Sequence, residues 1–95
     1  MKVFFEPAAR DELEAIYRWV AHENPRAASK LIDRIEDKVL QLKLPELAHM
    51  GRPGLVPGTR EIIEAPYVIV YEVREADGEI AILSVVHGAR NRTAT

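Results

Sequence analysis

Tyr67-Val68-Ile69-Val70-Tyr71-Glu72-Val73-Arg74-Glu75-Ala76-Asp77-Gly78-Glu79-Ile80-Ala81-Ile82-Leu83-Ser84-Val85-Val86-His87 is the stretch that decides the fold. Its two halves, Tyr67–Arg74 and Glu79–His87, are rich in Val, Ile and Tyr, side chains that suit a pleated, half-buried surface. Asp77-Gly78 between them predicts a type I′ hairpin turn, because that turn needs positive φ at both central residues. The two strands should therefore pair antiparallel. From Ile80 to Val86 both faces are apolar, which places that strand inside the sheet rather than at its edge.

Working upstream, Thr59–Glu64 reads as another strand, and Pro66 interrupts the junction to the next one. Before it, Pro45–Gly58 holds Pro45, Gly51, Pro53, Gly54, Pro57 and Gly58, a density of turn formers that predicts a loop. Ala28, Leu31, Ile32, Ile35, Val39 and Leu42 recur at intervals of three and four, so a helix is expected over Pro25–Lys43, capped by Asn24. Ala9, Leu13, Ile16, Tyr17 and Val20 form a similar stripe over Pro7–His22. The link between the helices is a few residues, which makes them an antiparallel hairpin. Lys2–Phe5 is short, apolar and stopped by Pro7, and reads as the first strand. The order is β-α-α-β-β-β: an α+β fold with a two-helix hairpin packed on one face of a small, mainly antiparallel sheet. At 95 residues there is room for a single domain, residues 1–95, with 88–95 as a basic tail carrying Arg90 and Arg92.

Composition narrows the function. Thirteen Lys and Arg against fifteen Asp and Glu give a net charge of −2, which argues against a broad grip on nucleic acid or an anionic membrane. The absence of cysteine excludes disulfides, thiolate metal sites and cysteine nucleophiles, and suits a cytoplasmic protein. The apolar start is far shorter than the roughly 7–15 residues of a signal-peptide core, and no apolar run approaches the roughly 20 residues of a membrane span. His22, His49 and His87 stand too far apart in sequence to announce a metal site, and no cofactor is expected. Gly51-Arg52-Pro53-Gly54 lacks the ending of a P-loop, and two prolines remove amides that would cradle phosphate. Ser29 and Ser84 sit in no nucleophile motif. Asp11, Glu12 and Glu14 near the start of the first helix are explained by its dipole.

Arg60, Arg74, His87 and Arg90 remain. If their strand ends align, three of them could form a cationic pocket for a phosphate or carboxylate, with histidine titrating near neutral pH as an acid or base. The alternative is structural: Arg60 pairs with a glutamate such as Glu72, and His87 caps the sheet.

Gly51-Arg52-Pro53 through Pro57-Gly58-Thr59-Arg60-Glu61, Tyr67–Tyr71, and Ile82–Asn91 with His87-x-x-Arg90 resemble the ParE branch of the RelE/ParE toxin superfamily, and Ala8-x-x-Asp11-x-Leu13-x-x-Ile16-Tyr17 extends the resemblance over nearly the whole chain. The resemblance implies a type II toxin that inhibits DNA gyrase by binding. It would be neutralised by a ParD-like antitoxin with a ribbon-helix-helix DNA-binding dimer and an extended arm. Arg60, His87, Arg90 and Arg92 would then face the target, with no direct sequence-specific nucleic-acid binding. The first alternative is a ribosome-dependent mRNA endonuclease of the RelE type using Arg60, His87 and Arg90. It is weakened by the absence of tyrosine after His87 and by the acidic balance. The second is a non-toxic antitoxin-binding module. A toxin that must be silenced should expose an apolar groove or an open sheet edge to its antitoxin, and Tyr17, Trp19 and Leu40 are expected to line it.

Overall fold

The computed structural model describes residues 1–89. The elements are β1 (Lys2–Phe5), α1 (Pro7–Ala21), α2 (Pro25–Leu40), β2 (Arg52–Pro53), β3 (Arg60–Glu64), β4 (Tyr67–Arg74) and β5 (Glu79–His87). They build the expected α+β architecture, a helix hairpin on one five-stranded sheet of order β1-β5-β4-β3-β2. Only β1 runs parallel to its neighbour, β5; the other pairs are antiparallel.

Local chemistry explains the helix starts. Pro7 and Pro25 occupy first-turn positions, where a fixed φ is favourable and the missing N–H is not needed. The Asn24 side chain accepts the Ala27 N–H at 3.0 Å, which satisfies one of the orphan donors of α2. Ala28, Leu31, Ile35 and Val39 of α2 are buried, and Leu13, Ile16 and Val20 of α1 pack against the same core. Both stripes close over Ile62, Ile69, Tyr71, Ile80, Ile82 and Val85 of the sheet.

The ends of elements differ from the sequence reading. α1 stops at Ala21 and α2 at Leu40, with a short 3₁₀ turn at Gln41–Lys43 and another at Pro45–Leu47. The segment read as pure loop contains β2, whose two residues pair with Arg60 and Glu61, while Thr59 lies outside the strand. Periodicity carries no information over two residues. Asp77-Gly78 is not a type I′ turn either. A 3₁₀ turn spans Glu75–Asp77, and Gly78 alone has positive φ, at 64°. The longer connection is tied to the loop after α2 by His49 Nε2 and Glu75 Oε1, 2.7 Å apart.

β5 lies between β1 and β4, as its two apolar faces require. Val70 faces Ser84 while Tyr71 faces Ile82, so Leu83 is an extra residue, a β-bulge. The bulge lets Ile80, Ile82 and Val85 all reach the helix side although their spacing breaks strict alternation.

Candidate functional site

Arg60 opens β3, opposite Pro53 and Tyr71. Its Nη2 donates to the Gly51 carbonyl, and its Nε is buried without a hydrogen-bond partner among the described residues. The Gly51 N–H donates to the Tyr71 hydroxyl at 3.0 Å, so that this residue is held at both its N–H and its carbonyl. Beside it Arg52 Nε donates to Glu61 at 3.1 Å, and the Glu61 side chain is only 1% exposed. Arg60 thus holds a loop. The expected Arg60–Glu72 pair does not form, because Glu72 is taken by Arg74 at 2.6 Å. Arg74 also reaches Glu6 at 3.3 Å and lies over the Phe4 ring, 5.7 Å from its centroid. The Glu72 hydrogen bond, opposed by desolvation, holds the Arg74 guanidinium above its ordinary pKa.

His87 closes β5 opposite Tyr67, edge to face with that ring at 5.6 Å between centroids. Its Nδ1 accepts the Ala89 N–H at 3.2 Å, which in the neutral ring leaves the proton on Nε2. Arg60 faces Tyr71 and His87 faces Tyr67 across β4, about 13 Å apart along that strand. Among the described residues, Arg60, Arg74 and His87 therefore do not assemble one cationic pocket. The register sends Arg60 and Arg74 toward one end of the sheet and His87 to the other. Arg90 and Arg92 lie outside the described residues.

At the His87 end the structure opens a groove of about 480 Å³ between α1 and the ends of β4 and β5. Ile16, Trp19 and Val20 form one wall, and Pro66, Tyr67, Val85 and His87 the other. Trp19 is 71% exposed and also borders a second hollow of about 240 Å³ against the turn His22–Asn24. Tyr17 and Leu40 are exposed as expected, but neither lines the groove. Leu40 sits near the far end of the helix hairpin, about 16 Å along the axes from Tyr17. Tyr17, Trp19 and Leu40 therefore form no single surface.

Glu12, at the groove floor, was explained by the helix dipole on sequence grounds, yet the first turn of α1 holds no acid. Its carboxylate instead accepts from the Ser84 hydroxyl at 2.8 Å and the Val85 N–H at 3.2 Å. This ties α1 to the bulged part of β5. The legible signal was Ser84 itself, a hydroxyl inside an apolar run that must find a partner when partly buried. Pro66 and Tyr67 gave no signal, since only the fold brings them under Trp19. Among the described residues no three potential ligands gather as a metal site would need, and no helix is long and apolar enough to cross a membrane. The groove suits an apolar partner segment better than a phosphate, because its walls are aromatic and aliphatic and Glu12 is engaged.

Residues 3–92 match the family described as ParE toxin of type II toxin-antitoxin system, parDE. The chain belongs to the ParE toxin family. A candidate toxin of Sinorhizobium fredii, Y4kP, is 34% identical over 77 residues, covering 79% of this chain and 75% of that protein. Among solved structures, a chain of the chromosomal ParDE system of P. aeruginosa superposes with a TM-score of 0.78 at 30% identity. It covers 92% of this ParE chain and 95% of its own. A chain of the RelBE2 toxin–antitoxin complex of Mycobacterium tuberculosis shares the fold, with a TM-score of 0.64 at 21% identity and coverage of 90% and 95%. The family reading carried by Gly51–Glu61, Tyr67–Tyr71 and Ile82–Asn91 is borne out. This ParE chain is a toxin of the type II toxin–antitoxin class.

Proposed function

We propose that this ParE chain arrests growth by binding DNA gyrase and is silenced by a ParD-like antitoxin seated in the Trp19 groove. The separation of Arg60 from His87 carries the choice of a binding poison over a ribonuclease. Cleavage of RNA needs a cation on the scissile phosphate and an acid or base within hydrogen-bond reach of it, and here those groups stand at opposite ends of the sheet. Membership of the family supports the class of activity, and the P. aeruginosa ParDE neighbour supports the kind of antitoxin.

The groove supports the antitoxin contact. Trp19 offers a large, half-rigid apolar surface beside Ile16 and Val20, the pattern that a helix or extended arm fills with one or two anchors. Tyr17 and Leu40 lie on separate parts of the helix pair and take a secondary role in this contact.

Supercoiling by purified gyrase, with the chain titrated in, tests the proposal. The expected result is dose-dependent loss of supercoiling with accumulation of cleaved DNA. Unaltered supercoiling from protein that arrests growth, accompanied by messenger cleavage on ribosomes, would replace it with the ribonuclease reading. A folded chain that arrests nothing and still binds the antitoxin would make it a binding module.

A further inference from the structure

β5 is paired unequally on its two sides. β4 accompanies it from Glu79 to His87, whereas β1 accompanies it only from Glu79 to Ile82, because the chain leaves β1 at Phe5 and enters α1 at Pro7. Beyond the bulge, one edge of β5 has no strand beside it among the described residues.

The hydrogen bonds show which groups that edge presents. The Gly88 N–H donates to the Pro66 carbonyl at 2.9 Å, so Gly88 faces β4, and by the alternation of an extended strand Val86 and Ser84 face it too. Val85 and His87 face the other way. The Val85 N–H accordingly goes to Glu12, at 3.2 Å, and not to β4. What remains along the edge is the Val85 carbonyl and the His87 N–H, on residues that line the Trp19 groove.

A carbonyl and an N–H two residues apart are what one residue of a parallel strand needs: its N–H donates to the first and its carbonyl accepts from the second. β1 already follows this pattern on β5, with the Lys2 N–H on the Gly78 carbonyl and the Glu6 N–H on the Ile82 carbonyl, each at 2.9 Å. An antiparallel strand needs both groups of the same residue, and at Val85 Glu12 has taken the N–H. A helix bonds its own backbone and would leave both edge groups bare.

We propose that the antitoxin enters the groove as an extended segment that adds to β5 as a parallel strand, continuing where β1 stops. This rests on the reading of the Trp19 groove as the antitoxin site. One residue of the segment lies opposite Val86, bonded to the Val85 carbonyl and the His87 N–H. Its two neighbours point to the helix side, as Val85 and His87 do, and meet Ile16 and Trp19. The segment therefore carries apolar side chains two residues apart, with a residue other than proline between them. Main-chain bonds fix its direction and register, and the groove reads its side chains.

The test follows amide exchange by NMR in the chain alone and in complex with the antitoxin encoded beside it. The His87 amide is expected to exchange at least about tenfold more slowly in the complex. Two variants isolate that N–H: His87→Ala keeps it and His87→Pro removes it, and neither touches a β4 ladder bond, which denaturant unfolding checks. His87→Pro should bind the antitoxin at least about tenfold more weakly than His87→Ala in calorimetry. If Trp19→Ala weakens binding but the His87 amide of the unaltered chain gains no protection, the added strand is overturned and the groove stands. Helical amide-to-amide contacts in the bound segment overturn it in the same way. Protection of His87 on concentrating the chain alone gives the edge to a second copy and also overturns it. Full affinity in Trp19→Ala overturns the groove reading together with the strand.

Discussion

The two ends of the sheet are built from opposite materials. At the Arg60 end, a buried tyrosine hydroxyl, two arginines and a buried glutamate hold a glycine-dependent loop against β3 and β4. At the His87 end, aromatic and aliphatic side chains line an open groove, and the polar bonds beneath them tie α1 to β5 without closing it. The first end resists change because the Tyr71 hydroxyl and the Glu61 carboxylate are buried there and depend on one geometry. The second tolerates change in the free chain, since an exposed indole contributes little until something covers it. The comparison teaches that the residues with the most chemistry, the arginines, serve architecture here, while the surface best suited to a partner is apolar.

The largest effect should come from Tyr71, which is fully buried and supplies both core volume and the hydroxyl that receives the Gly51 N–H. Tyr71→Ala is expected to cost about 3–5 kcal/mol in denaturant unfolding, by cavity formation. Tyr71→Phe should cost about 1–3 kcal/mol, the penalty for leaving the Gly51 amide unsatisfied. A Tyr71→Phe chain as stable as the parent would show that water replaces the hydroxyl and that this end is less dependent on its polar clamp.

Glu12→Ala comes next. It removes the acceptor for Ser84 and Val85 at the other end, and a loss of about 1–2 kcal/mol is expected in the same unfolding measurement. A loss as large as that of Tyr71→Ala would erase the contrast between the two ends.

Trp19→Ala should change folding stability least, by about 0.5 kcal/mol or less, because the side chain is 71% exposed. The same variant should weaken antitoxin binding at least about tenfold in calorimetry. Trp19 is the single tryptophan, so its fluorescence reports on the groove directly: emission should shift to shorter wavelength when antitoxin covers it. Full affinity in the variant, or an unshifted emission, would move the antitoxin contact elsewhere.

Much of the fold was legible in the chain itself. The helix stripes, the Asn24 cap and the first-turn prolines are local signals, and the two apolar faces of Ile80–Val86 correctly put β5 inside the sheet. β2 was not legible, because Arg52 and Pro53 are too few to carry a period and their partners, Glu61 and Arg60 of β3, are supplied by the fold. The β4–β5 turn was misread from Asp77-Gly78, since the chain reaches its positive φ through Gly78 alone after a 3₁₀ turn. Trp19, outside the α1 stripe of Ala9, Leu13, Ile16, Tyr17 and Val20, is the most exposed of the candidate groove residues.

Sequence by itself determined the order and type of the elements, the position of β5 and membership of the toxin family, because each rests on periodicity or on motifs a few residues long. Only the tertiary structure decided which side chains meet. Strand register is set by the whole sheet, and the register of β4 against β3 and β5 puts Arg60 beside Tyr71 and His87 beside Tyr67. A shift of four residues along one strand is invisible in a list of residues, yet at about 3.3 Å per residue it separates a phosphate clamp from its acid–base group.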